Sequence, residues 1–286
     1  MSTTGIDAGE FRSRQRQDWN TASQGWREWN ELIDSSTAPI SKRLVELAGI
    51  KTGDRVLDVA AGYGEPSLTA ARVVGAHGKV VATDISAEML AYGRERAQAQ
   101  GLENIDFVQS DAVSLDFPAG SFEAAVSRWG IIFDPDGEGA AARVRSFLAP
   151  GGRMAISSWG PPDKVPMLGV PVMTVMQRLN VPPPPPGTPG PLSRPTPEAI
   201  GGLLEGGGFS DVEVEEAEVS FTWGSAEEFT KFVREIAPPI TAMMASHPQD
   251  VQDETWAAIT AAAAEHAAGD GTIEQKNLVL LASGSA

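Results

Sequence analysis

The 286-residue chain contains no cysteine, only three histidines, and 22 basic against 38 acidic side chains, which gives a net charge of −16. The lack of cysteine excludes disulfides, a thiolate nucleophile and Cys-based zinc or iron–sulfur sites. The shortage of basic side chains argues against nucleic acid or a membrane surface as a partner. No apolar run approaches the roughly 18 residues of a membrane-spanning helix, and the first ten residues lack a secretion-signal pattern. We therefore expect a cytoplasmic protein with no nucleic-acid or membrane partner.

Short apolar runs alternate with longer amphipathic stretches over the first 160 residues. The five runs cover residues 55–60, 79–83, 104–108, 122–126 and 153–157. Strands that alternate with helices predict an α/β fold with a mostly parallel sheet and helices on both faces. We assign residues 51–160 to this core. Residues 198–224 and 271–286 are expected to continue it, because each contains a further strand-like run.

Three segments lie outside this alternation. Residues 1–50 are predicted to form a helical cap, residues 161–197 a helical and proline-rich insert, and residues 225–270 a second helical insert. Four large apolar residues of the cap are spaced as on one face of one helix: Trp19, Trp26, Trp29 and Ile33. We expect the three segments to cover the carboxyl ends of the strands, where open α/β sheets bind ligands.

The stretch after the first strand has the features of a nucleotide- or nucleoside-binding loop. A strand ending at Asp58 is followed by Gly62 and Gly64, and the next helix is predicted to begin at Glu65-Pro66. Glycines let a ligand approach the backbone closely, and the helix N-terminus attracts anionic groups. A dinucleotide-binding loop would have a third glycine at position 67, which is serine here.

Two further carboxylates follow the next two strands. Asp84 ends the second strand, twenty residues beyond Gly64, at the place where such folds bind ribose hydroxyls. Asp111 follows the third strand and is a candidate contact for an adenine amino group. Both positions also have a purely structural interpretation, because aspartate is common in turns and helix caps.

The order of these motifs resembles that of class I S-adenosylmethionine-dependent methyltransferases, in particular the ubiquinone/menaquinone-biosynthesis type and related small-molecule enzymes. Five stretches carry the resemblance: residues 58–64 (DVAAGYG), 83–86 (TDIS), 110–112 (SDA), 122–127 (FEAAVS) and 148–153 (LAPGGR). It is close over about residues 40–160. The resemblance implies a Rossmann-like three-layer sandwich with a mostly parallel seven-stranded sheet. Its last strand, about residues 278–282, would be antiparallel.

The resemblance also implies a cofactor, S-adenosyl-L-methionine, with S-adenosyl-L-homocysteine as its product. The implied cofactor-binding residues are Asp58, Ala60, Gly62, Gly64, Asp84, Ile85, Met89, Asp111, Ala112, Ser127 and Arg128. By position, Asp84 would bind the ribose and Ile85 and Met89 would flank the adenine. Asp111 and Ala112 would meet the amino edge of the adenine.

The remaining implied contacts concern the methionine part of the cofactor. Asp58 would order the loop, and its two glycines would line the methionine part. Ser127 and Arg128 would lie beside the sulfonium and the carboxylate, although Arg128 could equally be a salt-bridged structural arginine. Ala60 stands where the family usually has its first glycine. We expect this alanine to retract the loop slightly without closing the site.

The acceptor site is much less clearly marked. The candidates for acceptor binding are Trp19, Trp26, Trp129, Met173 and Met243. Ordinary helix or core packing is the alternative for each of them. His247, in the second insert, is the candidate for a general base. The acidic run at residues 134–138 invites a metal interpretation, but turn and helix-cap chemistry explains it, and we expect no metal.

Together, these features predict an S-adenosylmethionine-dependent methyltransferase of specialised metabolism, a monomer or homodimer. Its acceptor is expected to be a small, largely apolar or aromatic molecule with an oxygen, nitrogen or carbon nucleophile. A sulfonium methyl group is already electrophilic, so positioning and exclusion of water are the main tasks of such an enzyme. The alternatives are a nicotinamide-dependent oxidoreductase and a relative that binds the same cofactor without methylating.

Overall fold

The computed structural model describes residues 7–185 and 187–286 and is built around one seven-stranded sheet. In chain order the strands are β1 (Arg55–Val59), β2 (Lys79–Asp84), β3 (Ile105–Gln109), β4 (Phe122–Arg128), β5 (Leu148–Trp159), β6 (Ser210–Trp223) and β7 (Ile273–Ser285). Their order across the sheet is β3-β2-β1-β4-β5-β7-β6. Strands β1 to β5 pair in parallel, whereas β7 runs antiparallel to both β5 and β6. The predicted seven-stranded α/β fold with an antiparallel last strand is therefore confirmed.

The strand order places a crevice at the carboxyl ends of three strands. From β1 the chain first builds outward to β2 and β3, and then returns to place β4 on the other side of β1. Such a reversal leaves the loops after the neighbouring strands apart, which is where open α/β sheets bind ligands. Asp58 of β1 lies beside Ala82 of β2 and Val126 of β4. The loops that follow these three strands therefore surround one space.

Helices cover both faces of the sheet. In chain order they are α1 (Ala8–Glu28), α2 (Asn30–Leu47), α3 (Ser67–Val74), α4 (Ala87–Ala99), α5 (Gly137–Phe147), α6 (Pro166–Leu179), α7 (Pro197–Gly206), α8 (Ala226–Ile236), α9 (Pro238–Met244) and α10 (Gln249–Ala264). Helices α5 and α7 pack on one face in an apolar cluster that includes Leu57, and α2 and α3 pack on the other with Val56. Because both faces are covered, the central strands are apolar almost without interruption.

The N-terminal segment differs from the prediction of one helix face for the four large apolar residues. Helix α1 ends at Glu28 and α2 begins at Asn30, so Trp29 is the junction between two helices. The indole Nε1 of Trp26 donates to the Ile236 carbonyl at 3.0 Å, and that of Trp29 donates to Glu235 at 2.6 Å. The prediction failed because a one-residue junction leaves the helical spacing of the apolar residues intact.

Helices α1, α6, α8 and α9 contribute residues to the crevice at the carboxyl ends of the strands, and α10 packs against α6 and α8; we call these five helices the lid. Helix α8 contacts α1, α9 and α10, and α6 contacts α9 and α10. None of the helices in residues 7–185 and 187–286 has the length and apolar character needed to cross a bilayer. The residue boundaries of the predicted cap, inserts and core segments stay predictions. Residues 1–6 of that cap and Pro186 of the proline-rich insert lie outside the described residues.

Docking of α1 on α8 predicts an unusual response to a glycine-to-alanine exchange. A methyl group at Gly25 of α1 would overlap the backbone carbonyl of Glu235, whereas one at Gly202 of α7 would meet nothing within 4 Å. Alanine stabilises a helix interior by about 1 kcal/mol relative to glycine, but overpacking costs about 1–3 kcal/mol. We therefore expect Gly25→Ala to lower the thermal unfolding temperature and Gly202→Ala to maintain or raise it. An increase in both variants would show that α1 is not seated on α8.

Candidate functional site

A cavity opens at the carboxyl ends of β1, β2 and β4, beneath the lid. One part of its wall is polar and includes Arg12, Thr37, Glu65, Asp84, Ser110, Asp111, Arg128 and Asp134. The other part is apolar and largely aromatic and includes Trp19, Trp26, Trp129, Phe133, Trp159, Met167, Leu168, Phe221, Phe232 and Ile236. The strands and the loops that follow them supply most of the polar part, and the lid supplies much of the apolar part.

The first loop, residues 60–66, leaves β1 through a series of left-handed backbone conformations. Ala60, Gly62 and Gly64 have φ angles of +57°, +54° and +110°. The expected slight retraction of the loop stays a prediction, and Ala60 adopts a left-handed conformation that glycine takes more readily. A residue with a Cβ atom takes it at a cost of about 1–2 kcal/mol. The methyl group fits because Gly130 faces it: a Cβ there would come within 2.5 Å of the Ala60 Cβ.

The helix after the first loop begins later than predicted. Helix α3 starts at Ser67, and Pro66 occupies the cap position with φ −89° and ψ 7° instead of the first helical position. The Ser67 hydroxyl donates to Asp58 Oδ2 at 2.5 Å and so ties the first turn of α3 back to β1. The serine that stands in place of a third glycine thus anchors the helix to the strand.

Asp58 is a buried carboxylate behind the first loop. It is 0% exposed, and its Oδ1 has no hydrogen-bond partner among the described residues. Burial raises the pKa of Asp58 to about 7, against the lowering effect of the Ser67 hydrogen bond and the Arg128 charge. Asp58 does not line the cavity. Its geometry suits a residue that orders the loop from behind.

Asp84 joins the first loop to the end of β2. Its Oδ2 accepts from the Gly62 amide at 2.8 Å, and its Oδ1 accepts from the Ser86 amide at 2.7 Å. The side chain lies in the cavity wall although the residue is only 8% exposed. Burial raises the pKa of Asp84 to about 6, and the backbone hydrogen bonds oppose this increase. Each carboxylate oxygen has a further lone pair, so Asp84 can also accept from a ligand hydroxyl.

The implied adenine contacts line the cavity beside Asp84. The wall contains Ile85 and Met89, and also Asp111 and Ala112 after β3. Asp111 also caps a short turn, because its Oδ1 accepts from the Ser114 amide at 2.7 Å. This hydrogen bond occupies one lone pair of Oδ1. The structural interpretation of Asp111 and a binding role are therefore compatible.

Arg128 ends β4 and lies in the cavity wall. The residue is 8% exposed, and among the described residues it donates only to the neutral hydroxyl groups of Thr37, Ser41 and Tyr63. In the part of the chain that the structure describes, no carboxylate lies within ion-pair distance of Arg128. The alternative of a salt-bridged structural arginine is therefore wrong. Ser127 lies outside the wall, where its hydroxyl donates to the Val59 carbonyl at 2.7 Å.

Three of the five predicted acceptor-binding residues, Trp19, Trp26 and Trp129, line the cavity. Trp129 has a φ of +52°, a strained conformation for a bulky residue, and its ring stacks on Trp159 with centroids 4.4 Å apart. The other two, Met173 and Met243, do not contribute to the wall, and neither does His247. Met173 is 46% exposed, because α6 turns Met167 towards the cavity and carries Met173 on its other side.

Several wall residues are absent from the predicted set. Tyr63 lies between the two glycines of the first loop, and Trp159 is the last residue of β5. The glycine-containing loop and the strand end are local signals that could have identified them. Arg12, Phe221 and Phe232 had no such signal. Their presence in the wall depends on how the lid and β6 dock, which the local pattern does not encode.

The acidic run at residues 134–138 has structural partners. Asp134 pairs with Arg12 at 3.0 Å, Asp136 caps α5 by accepting from the Gly139 amide at 3.1 Å, and Glu138 pairs with Arg194 at 2.8 Å. The cap interpretation is thus confirmed for Asp136. Within residues 7–185 and 187–286, no three His, Asp or Glu side chains converge in a way that would hold a metal ion.

Comparison with known proteins matches the core of the chain to methyltransferases. Residues 56–152 match a family model described as a methyltransferase domain. Aklanonic acid methyltransferase DauC of Streptomyces sp. (strain C5) is 40% identical over 120 residues, which are 42% of this chain and 54% of DauC. The ubiquinone/menaquinone biosynthesis C-methyltransferase UbiE of Cellvibrio japonicus is 36% identical over 135 residues, which are 46% of this chain and 54% of UbiE. The resemblance predicted from the motifs is therefore confirmed.

These matches leave part of each chain uncovered. The chain spans about half the length of the curated relatives it matches. Among solved structures, the [4+2]-cyclase SpnF superposes with a TM-score of 0.53 at 17% identity and covers 92% of this chain and 94% of its own. At this identity the likeness concerns the fold alone, and the same fold supports more than one reaction.

Because Asp58 is buried, we expect the difference in stability between Asp58→Asn and wild type to depend on pH. With its folded-state pKa raised to about 7, Asp58 holds a proton in the folded protein that the unfolded chain releases near pH 4. This group therefore lowers the free energy of unfolding as the pH rises from about 4 to 7. Asp58→Asn lacks this contribution. Its free energy of unfolding, relative to wild type, should rise over that pH range in urea titrations.

The other titrating groups contribute equally to the variant and the wild type, so their effects cancel in the difference between the two free energies of unfolding. Asp116→Asn, at a side chain that is 92% exposed, controls for the exchange itself. A difference between Asp58→Asn and wild type that stays constant from pH 4 to 7 would contradict the burial effect.

Proposed function

We propose that this protein transfers the methyl group of S-adenosyl-L-methionine to a small-molecule acceptor. The observation that carries the proposal is the Asp84 carboxylate, buried in a cavity wall at the carboxyl end of β2 and bonded to the Gly62 amide. A buried carboxylate beside a glycine-containing loop provides acceptors for paired ribose hydroxyls. The methyltransferase-domain match at residues 56–152 supports the same cofactor.

The polar groups of the wall fit the parts of this cofactor. Ile85 and Met89 offer apolar surfaces for the adenine, and Asp111 an acceptor for its amino group. Asp84 would take the ribose, and the guanidinium of Arg128 would take the carboxylate of the amino-acid part. A nicotinamide dinucleotide fits less well, because the third glycine of its binding loop is replaced by Ser67.

The aromatic part of the wall supports an apolar or aromatic acceptor. The stacked rings of Trp129 and Trp159 face a space that is also bounded by Phe221 and Phe232. Aromatic side chains favour flat apolar ligands, which they contact face to face or edge to face. The names of the two relatives, an aklanonic acid methyltransferase and a ubiquinone/menaquinone biosynthesis C-methyltransferase, agree with a small organic acceptor. A role in specialised metabolism belongs to the same proposal.

Catalysis would rest on positioning and on exclusion of water. When bound, S-adenosyl-L-methionine supplies an electrophilic methyl group. Asp84 would hold the ribose of the cofactor and Arg128 its carboxylate. The aromatic part of the wall would align the acceptor. Trp19 and Trp26 of the lid form part of the wall, and they would limit the access of solvent to the transferred methyl group.

Binding of S-adenosyl-L-homocysteine tests the proposed cofactor. Asp84→Asn keeps the size of the side chain but removes its charge and one acceptor oxygen. Hydrogen bonds to a charged group contribute about 1.5–3 kcal/mol, so we expect calorimetry to show an affinity at least about tenfold weaker. Asp106→Asn, on the neighbouring strand with Lys79 as its partner, is the matched control and should bind like wild type. Wild-type protein that binds NADH and not S-adenosyl-L-homocysteine would contradict the proposal.

Methyl transfer to a panel of simple compounds tests the acceptor class. With methyl-labelled S-adenosyl-L-methionine, we expect labelled product from phenolic aromatics such as 2-naphthol and none from phosphoethanolamine or glycine. Trp159→Ala removes one stacked ring and should raise the KM for 2-naphthol about tenfold or more. Met173→Ala, at an exposed position outside the wall, should leave it unchanged. Transfer only to the polar amines would exclude an aromatic acceptor.

A further inference from the structure

Arg128 has an unusual set of partners for a buried cation. Its Nη1 donates to Thr37 Oγ1 at 2.7 Å and to Ser41 Oγ at 3.0 Å, and its Nη2 donates to the Tyr63 hydroxyl at 3.1 Å. Three of its five N–H groups are thus held by neutral oxygens. Its Nε–H and one Nη2–H have no acceptor among the described residues. A buried cation is costly to leave uncompensated, so this free edge favours an anionic ligand in the cavity.

The Tyr63 hydroxyl separates Arg128 from the carboxylate of Asp34. The Tyr63 hydroxyl accepts from Arg128 and donates to Asp34 Oδ1 at 2.8 Å. Asp34 is itself ion-paired with Arg96, whose Nη1 also donates to the Tyr63 carbonyl at 3.0 Å. The charge of Asp34 is therefore matched by Arg96, and a neutral phenol lies between it and Arg128. Burial raises the pKa of Tyr63, so the phenol keeps the proton that it donates to Asp34.

The Tyr63 ring is held firmly in place. It is 2% exposed and packs between Trp26 of the lid, with ring centroids 5.3 Å apart, and Tyr92 of α4, with centroids 6.4 Å apart. The Arg96 guanidinium lies 4.6 Å from the centre of the ring. The backbone of Tyr63 belongs to the first loop. Its hydroxyl thus connects this loop, the N-terminal helices and Arg128 at one point.

We propose that Tyr63 is a positioning residue, which holds the free edge of Arg128 towards the cavity so that Arg128 recognises the carboxylate of a bound amino-acid nucleoside. This inference rests on the proposed function and adds a residue that selects the complete cofactor over fragments without a carboxylate. Without the Tyr63 hydroxyl, Nη2 loses its fixed partner and the guanidinium is free to turn towards Asp34. The carboxylate would then lose its charged, doubly donating partner.

A pair of related ligands isolates this effect. S-adenosyl-L-homocysteine and 5′-methylthioadenosine share the adenosine and the thioether, but only the first has the amino-acid carboxylate. In calorimetry, Tyr63→Phe should lower the affinity for S-adenosyl-L-homocysteine about tenfold and leave the affinity for 5′-methylthioadenosine unchanged. Tyr92→Phe is the matched control, because its ring stacks on Tyr63 while its hydroxyl has no hydrogen bond among the described residues. Both affinities should stay at wild-type values in that variant.

The outcomes separate this inference from the proposed function. A Tyr63→Phe variant that weakens both ligands equally, or neither, overturns the positioning role. Wild-type protein that binds neither ligand contradicts the proposed function instead. If Tyr63→Phe does not fold, Asp34→Asn removes the charged acceptor of the Tyr63 hydroxyl without changing the cavity wall. Asp34→Asn should also lower the affinity for S-adenosyl-L-homocysteine relative to that for 5′-methylthioadenosine. An unchanged ratio of these two affinities overturns the inference.

Discussion

The geometry of the cavity depends on the two hydrogen bonds that the Asp84 carboxylate accepts from the Gly62 and Ser86 amides. The Gly62 bond joins the loop after β1 to the end of β2, and the Ser86 bond fixes the carboxylate in the turn that leads from β2 to α4. The carboxylate is buried at the carboxyl end of β2, beside the switch point between β1 and β4, and its charge is costly there unless hydrogen bonds compensate it. Hydroxyl groups of a bound ligand would donate further hydrogen bonds to this carboxylate and so help to compensate its buried charge. The remaining polar groups of the wall are arranged around this point.

The sheet and the lid contribute different chemistry to the cavity. Strand ends and their loops place Asp84, Asp111 and Arg128, which are polar groups on rigid supports. The lid, together with Trp159 and Phe221, adds aromatic and aliphatic surface over them. The wall thus combines the buried Asp84 carboxylate, the half-buried Asp111 and the Arg128 guanidinium with a largely aromatic surface. This division favours a charged nucleoside on one side and a flat apolar molecule on the other.

The sequence was most informative where structure is local. The apolar runs predicted the sheet, and the order of the motifs predicted the first loop and Asp84, because strand periodicity and glycine positions are short-range signals. The sequence was less informative where the packing of helices and loops against each other determines the position of a residue. The break at Trp29 preserved helical spacing, the positive φ of Ala60 contradicts its intrinsic preference, and Met173 faces solvent because of how α6 is seated. The role of Tyr63 depends on partners up to 65 residues away, as far as Arg128.

A crystal structure of the protein with S-adenosyl-L-homocysteine would test whether this cavity is the cofactor site. We expect the nucleoside at the carboxyl ends of β1 and β2, with its ribose hydroxyls within hydrogen-bond distance of the Asp84 carboxylate. We also expect the thioether sulfur to face the Trp129 and Trp159 rings. A nucleoside bound elsewhere, or a ribose that does not contact Asp84, would show that the cavity has another role.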